Sequence, residues 1–166
     1  MLSMILALAA GVPAAASPAS GADWPVYGNP RYGYEMCYDP RLFTPQTEAK
    51  AGDGRRFTGK YGAELLVFAQ YDAAESGLAQ WVEQQAAYYT GKNGHITHRV
   101  IHPGLAEVVG DDGHGRRFFN RTLKRPGPVE TFLTVQLSYP AAESARFEPV
   151  VQKLAGCLKF VPQEEN

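Results

Sequence analysis

Two cysteines, four histidines and three methionines are all that 166 residues provide, a scarcity that excludes a disulfide-dense miniprotein and a multi-metal cluster. An excess of charge is missing as well: sixteen basic side chains stand against seventeen acidic ones, for a formal net charge of −1. Such a balance disfavours nucleic acid as a partner, and 45% apolar against 20% charged residues argues against disorder. Apolar runs are short. Met4 to Ala10 falls far below the twenty residues a membrane span needs, so an integral membrane protein is not expected. Hydrolytic signatures are lacking too: there is no G-x-S-x-G, no H-E-x-x-H and no paired carboxylates on a recognisable motif. No catalytic residues, no metal and no cofactor are therefore assigned.

What is present begins with the first 22 residues, which carry no charged side chain. The apolar run breaks at Gly11 and Pro13 into small residues, offering Ala14-Ala15-Ala16 or Ser20-Gly21-Ala22 as an A-x-A-like cleavage site. This pattern predicts a secretory signal peptide over residues 1–22, followed by one domain over 23–166, with the mature chain periplasmic or secreted. Export changes how the cysteines read. In an oxidising compartment Cys37 and Cys157 are expected to be joined, clamping the two ends of the domain across a loop of about 120 residues.

Along the mature chain, strand and helix patterns alternate. A Pro/Gly/Asn stretch from Trp24 to Arg31 precedes a strand over Tyr32 to Tyr38, which stops at Asp39-Pro40; a loop then runs to Gly54. Arg55 to Thr58 and Ala63 to Gln70 flank Gly59-Lys60-Tyr61-Gly62, a hairpin signature. The second arm is apolar on both faces, which predicts a central strand. Leu78, Trp81, Val82, Gln85 and Tyr89 form a helical stripe over Gly77 to Thr90, with Ser76 as N-cap and Gly91 as stop. Strands follow at Ile96 to His102, Ala106 to Gly110, Arg116 to Lys124 and Val129 to Tyr139, the last alternating as a half-buried antiparallel strand. A final helix is expected to begin at Pro149, its core stripe including Cys157. The expected fold is α+β: an antiparallel sheet with two main helices packed on it.

One tetrapeptide occurs twice. Gly54-Arg55-Arg56-Phe57 recurs as Gly115-Arg116-Arg117-Phe118, which suggests two similar hairpins in one sheet. With Asp53-Gly54-Arg55-Arg56-Phe57, the Tyr34-to-Phe43 strand and its Pro-containing turn, Ala63-Glu64-Leu65-Leu66-Val67, and Leu137-Ser138-Tyr139-Pro140 before the last helix, the chain resembles the PsbP-like superfamily. That superfamily is named after an extrinsic subunit of photosystem II and shares its fold with a eukaryotic Ran-binding import factor. The likeness is greatest to its small exported bacterial members of unassigned role. No catalytic set comes with the resemblance, which implies an accessory or binding role.

Three groups of residues are candidate contacts. Arg55, Arg56, Arg116 and Arg117 can grip an anion bidentately if the two hairpins are neighbours, although consecutive strand residues face opposite ways and at most one of each pair joins a given patch; salt bridges to Asp53 or Glu64 are the plainer use. The histidines lie between positions 95 and 114, and His98 and His102 share a strand face about 13 Å apart, too far to hold one ion. Tyr32, Tyr34, Met36 and Tyr38 lie on one strand face, either as a shelf or as packing. The expectation is an exported non-enzymatic envelope protein that binds a protein partner or small ligand. The alternative is an envelope enzyme, hydrolytic or metal-dependent, with a site assembled from distant residues.

Overall fold

The computed structural model describes residues 23–162; the signal peptide expected over residues 1–22 lies outside the described residues. Ten strands and two helices follow in the order β1 (Val26–Asn29), β2 (Tyr34–Cys37), β3 (Phe43–Glu48), β4 (Gly54–Gly59), β5 (Glu64–Tyr71), α1 (Gly77–Thr90), β6 (His95–His102), β7 (Leu105–Asp111), β8 (Arg116–Arg125), β9 (Thr131–Pro140), α2 (Ser144–Cys157) and β10 (Lys159–Phe160). Seven strands form one antiparallel sheet in the order β3-β4-β5-β9-β8-β7-β6, and β1-β2-β10 form a small second sheet. Among the described residues no helix is long and apolar enough to cross a membrane.

Side chains alternate across the large sheet, and each face builds its own core. On the first face Leu65, Val67, Leu133, Val135, Leu137 and Phe119 pack under Phe147, Val150 and Leu154 of α2 and under Tyr34 and Met36 of the small sheet. On the second face Ala106, Val108, Phe118 and Phe132 pack against Leu78, Val82 and Ala86 of α1. The two layers are offset: α1 lies over β6, β7 and β8, while the first core centres on β4, β5 and β9.

Several boundaries differ from the sequence expectations, each for a physical reason. The Pro/Gly/Asn stretch contains β1, an edge strand held by pairing with β2. The loop before Gly54 contains β3, and Pro45 is tolerated because β3 is the sheet edge and needs no ladder on its outer side. β9 is buried on both faces: Thr134 and Gln136, read as solvent-facing, lie beneath α1 at 0% and 5% exposure. The last helix starts at Ser144, after a 3-10 turn over Ala141–Glu143, so Pro149 sits inside it. Helix α1 begins where expected, but Ser76 makes no side-chain cap. The Asp72 carboxylate does that work, accepting from the Ser76 N–H, the Ser76 hydroxyl and the Gly77 N–H at 2.7–3.0 Å.

Cys37 at the end of β2 and Cys157 at the end of α2 form a disulfide, with Cα atoms 5.8 Å apart. Because the loop it closes is 120 residues long, its removal should cost about 4 kcal/mol of unfolding free energy. The double variant Cys37→Ser/Cys157→Ser should show that loss in urea denaturation, and the unmodified chain in reductant should match it. Two thiols reacting in the native, non-reduced chain would contradict the cross-link.

Three aspartates make the acid limb of stability predictable. Backbone N–H bonds from Gly77 and Ser76 hold Asp72 below the ordinary carboxylate range, the Arg41 side chain does so for Asp39, and the Arg116 and His114 N–H groups do so for Asp112. Depressed folded values mean that their contribution is complete above the unfolded aspartate value of ~3.9 and is lost as pH falls below it. Urea midpoints should therefore be flat with respect to these groups near neutrality and drop below about pH 4, and Asp72→Asn should shrink that drop while speeding amide exchange in the first turn of α1.

Candidate functional site

The offset leaves half of the second sheet face uncovered. Beside α1, a cleft of about 500 Å³ opens over β5, β9 and β8. Its floor is Leu66, Phe68 and Gln136, its α1 wall is Gln85, Tyr88 and Tyr89, and Arg56 and Arg116 stand at its rim. A second depression of about 480 Å³ shares Arg56, Leu66 and Phe68 and continues across β4 to Thr47 on β3. Together they form one trough across the open strands.

The four arginines separate between the faces. Phe57 pairs with Leu65, and Phe118 with Ser138, which puts Phe57 in the first core and Phe118 in the second. The repeated tetrapeptide is thus used in opposite phase. In its first copy the second arginine, Arg56, faces the trough; in its second copy the first arginine, Arg116, does so. Arg55 on the other face pairs with Glu48 at 3.1 Å and lies over the Tyr27 ring. Arg117 borders the cleft, but its guanidinium is 3.7 Å from Glu148 of α2. Neither uses Asp53 or Glu64, the partners expected from sequence. The two glycines also serve different ends. A Cβ on Gly54 would meet the Val67 carbonyl oxygen at 2.0 Å, whereas Gly115 has φ +89° and open space around it.

Arg116 is held in place without being neutralised: its guanidinium donates to the Gly62 carbonyl at 3.1 Å and to the Ser138 hydroxyl at 2.9 Å. Asp112 below it accepts the backbone N–H groups of His114 and Arg116. Arg56 is exposed and, among the described residues, has no carboxylate within 4.0 Å. The wall is polar beneath. The Tyr89 hydroxyl donates to Gln136 at 2.9 Å, and the Gln136 amide donates to Gln85 at 2.7 Å. Tyr89 also stacks on Phe118, and burial, then the neighbouring Tyr88, pushes its phenol up to about 12.

The other candidates disperse. Tyr34 and Met36 are fully buried and Tyr32 nearly so, so the tyrosines pack rather than form a shelf. His98 and His102 share a face of edge strand β6, whereas His95 lies 3.8 Å from Asp111 and His114 bonds Asn93. Among the described residues no three His, Cys, Asp or Glu side chains converge on one point.

The two-face arrangement invites comparison with known proteins. The solution structure of cyanobacterial PsbP (CyanoP) from Synechocystis sp. PCC 6803 superposes with a TM-score of 0.61 over 90% of this chain and 99% of that one, at 13% identity. The chain has the PsbP-like fold. The Ran-binding protein Mog1p of Saccharomyces cerevisiae also matches, with a TM-score of 0.57 at 10% identity over 85% of this chain and 97% of its own; a mutant of Mog1 gives 0.56. No protein-family model matches the chain, and no curated protein does so either. At these identities the PsbP-like fold is what is shared.

Sequence reasoning missed Leu66, Phe68, Gln85, Tyr89 and Gln136 as site residues. The signal for the first two was present, since both faces of β5 are apolar. That pattern predicts a central strand covered on both sides, whereas in this PsbP-like sheet the second side is half open.

Under α1 the polar layer continues to Asn120, which is 3% exposed with both amide atoms unpartnered among the described residues. A buried amide without partners costs free energy that a similar-sized apolar side chain does not. Asn120→Leu should therefore raise stability by about 1 kcal/mol in urea denaturation, whereas Tyr89→Phe, which strips a donor from buried Gln136, should lower it by a similar amount. Destabilisation by Asn120→Leu would show that the amide is satisfied in solution.

Proposed function

We propose that this chain is an exported, non-enzymatic binding protein of the cell envelope, periplasmic or secreted, that engages a protein partner through the uncovered half of the sheet. The observation that carries this reading is the trough itself: apolar Leu66 and Phe68 on an open strand face, rimmed by an arginine without a carboxylate partner and by the 81%-exposed Tyr88. Small-molecule sites are enclosed and mostly apolar, whereas aromatic and arginine side chains on an open surface are typical of protein contacts. Mog1p, named as a Ran-binding protein, supports a protein partner by analogy of fold alone. The disulfide supports export, because such cross-links persist in oxidising compartments. Of the two acidic groups in the cleft, Glu64 and Asp112, Asp112 is held below the ordinary carboxylate range, the opposite of what a general acid near neutrality requires.

Leu66 is half-buried at the trough floor and lies opposite Arg56 across the ladder, so Leu66→Arg should lower stability by about 1 kcal/mol and leave the chain folded. Cross-linked capture from the native envelope should recover a stoichiometric partner with the unmodified chain and lose it with Leu66→Arg. Turnover of a generic ester or phosphoester with no partner recovered would overturn the binding reading. For export, the chain should be found outside the cytoplasm with about 22 residues removed; full-length chain confined to the cytoplasm would overturn that half.

A further inference from the structure

We infer that the part of the partner seated in the trough is an extended segment carrying a carboxylate side chain and, two residues along, an apolar one. This rests on the reading above that the uncovered sheet face is the binding surface; it adds the chemistry of what lies there.

Shape calls for an extended chain. The two depressions merge through Arg56, Leu66 and Phe68, and from β9 to β3 the trough crosses three strand spacings, about 14 Å. An extended chain spans that distance in four to five residues at about 3.3 Å each, with every second side chain directed at the floor. A compact ligand would leave one end empty.

Charge sets the first anchor. Arg116 bonds only neutral oxygens of Gly62 and Ser138 and is thereby drawn across β9 toward the turn that precedes β5. Its positive charge is undiminished, and Arg56 has no carboxylate partner. Arg116 already gives its terminal nitrogens to Gly62 and Ser138, so it contributes charge at the rim, whereas the exposed Arg56 guanidinium can bond a carboxylate in a charge-assisted fork. The acidic groups nearby do not pair with these side chains: Asp112 accepts backbone N–H groups and keeps its negative charge at the Arg116 end of the cleft, Glu148 pairs with Arg117 outside the cleft, and Asp53 lies at the far end. Glu64 is exposed and lines the same cleft, so its charge opposes an acidic guest. The second anchor follows from register. Arg56 pairs with Leu66 across the β4–β5 ladder, which places the apolar floor beside the arginine, where the next inward side chain of an extended guest would fall.

The opposed charges of Arg56 and Glu64 make the inference testable without disturbing the core. A phage-displayed library of random octapeptides, selected on the immobilised chain, should enrich aspartate or glutamate followed two positions on by an apolar or aromatic residue. For a selected peptide made synthetically, fluorescence anisotropy should show roughly tenfold weaker binding to Arg56→Gln, tighter binding to Glu64→Gln, and loss with Leu66→Arg. Peptides without acidic enrichment, or affinities that follow Leu66→Arg yet ignore both charge variants, would overturn the acidic anchor while leaving the docking surface in place. Indifference to all three variants would overturn the surface as well.

Discussion

A seven-stranded sheet has two faces to cover, and this chain has little to cover them with. Adjacent strands lie about 4.8 Å apart, so the sheet is close to 30 Å across, whereas a helix with its side chains is only 10–12 Å wide. One helix per face reaches two or three strands. On the first face the three-stranded sheet assists α2, and that core is continuous from β3 to β8. On the second face α1 works alone, over β6 to β8 and onto β9 through Phe132, Thr134 and Gln136. The offset layers, the double burial of β9, the open β3 to β5 surface and the trough all follow from that shortage of covering structure.

The two layers also differ in chemistry. Aromatic and aliphatic side chains fill the first, with Phe147 stacked on Tyr139 and Phe57 set against Tyr27 and Tyr38. The second interposes Thr122, Thr134, Gln136 and Asn120 between α1 and the strands, bridged by Trp81, Tyr89 and Gln85. Hydrogen bonds specify where the helix sits but return little net free energy. An Arg99–Glu83 pair at 3.1 Å, about half exposed, adds little to the attachment of α1 to β6. The weaker layer is thus the one that walls the cleft, a common division between scaffold and working surface.

Much of this was legible in the sequence, and the failures have a shared cause. The hairpin around Gly59 to Gly62, the span of α1 and the Cys37–Cys157 cross-link were readable because each depends on local pattern or on compartment. What a strand faces depends on neighbours far away in the chain, and there the reading slipped. Thr134 and Gln136 looked solvent-facing because polar residues alternate with apolar ones, yet a helix fifty residues upstream covers them. Leu66 and Phe68 looked covered because they are apolar, yet α1 meets only the edge of this surface, through Trp81 against Phe68, and both stay half-buried. Arg56 and Arg116 were recognised as possible neighbours, but their meeting depends on the opposite phasing of two identical tetrapeptides, which only the registers of β4 and β8 reveal.

The disulfide has a mechanical meaning as well as a thermodynamic one. A tension applied between the two ends of the described chain enters before β1 and leaves after β10, and both strands are paired to β2, whose last residue is Cys37. With Cys37 bonded to Cys157, the load path runs from β2 through the sulfur bridge into β10. Force can peel apart the small sheet, but it bypasses the seven-stranded sheet and both helices. The trough, on the face away from that small sheet, would keep its shape under a pull that has already undone the ends.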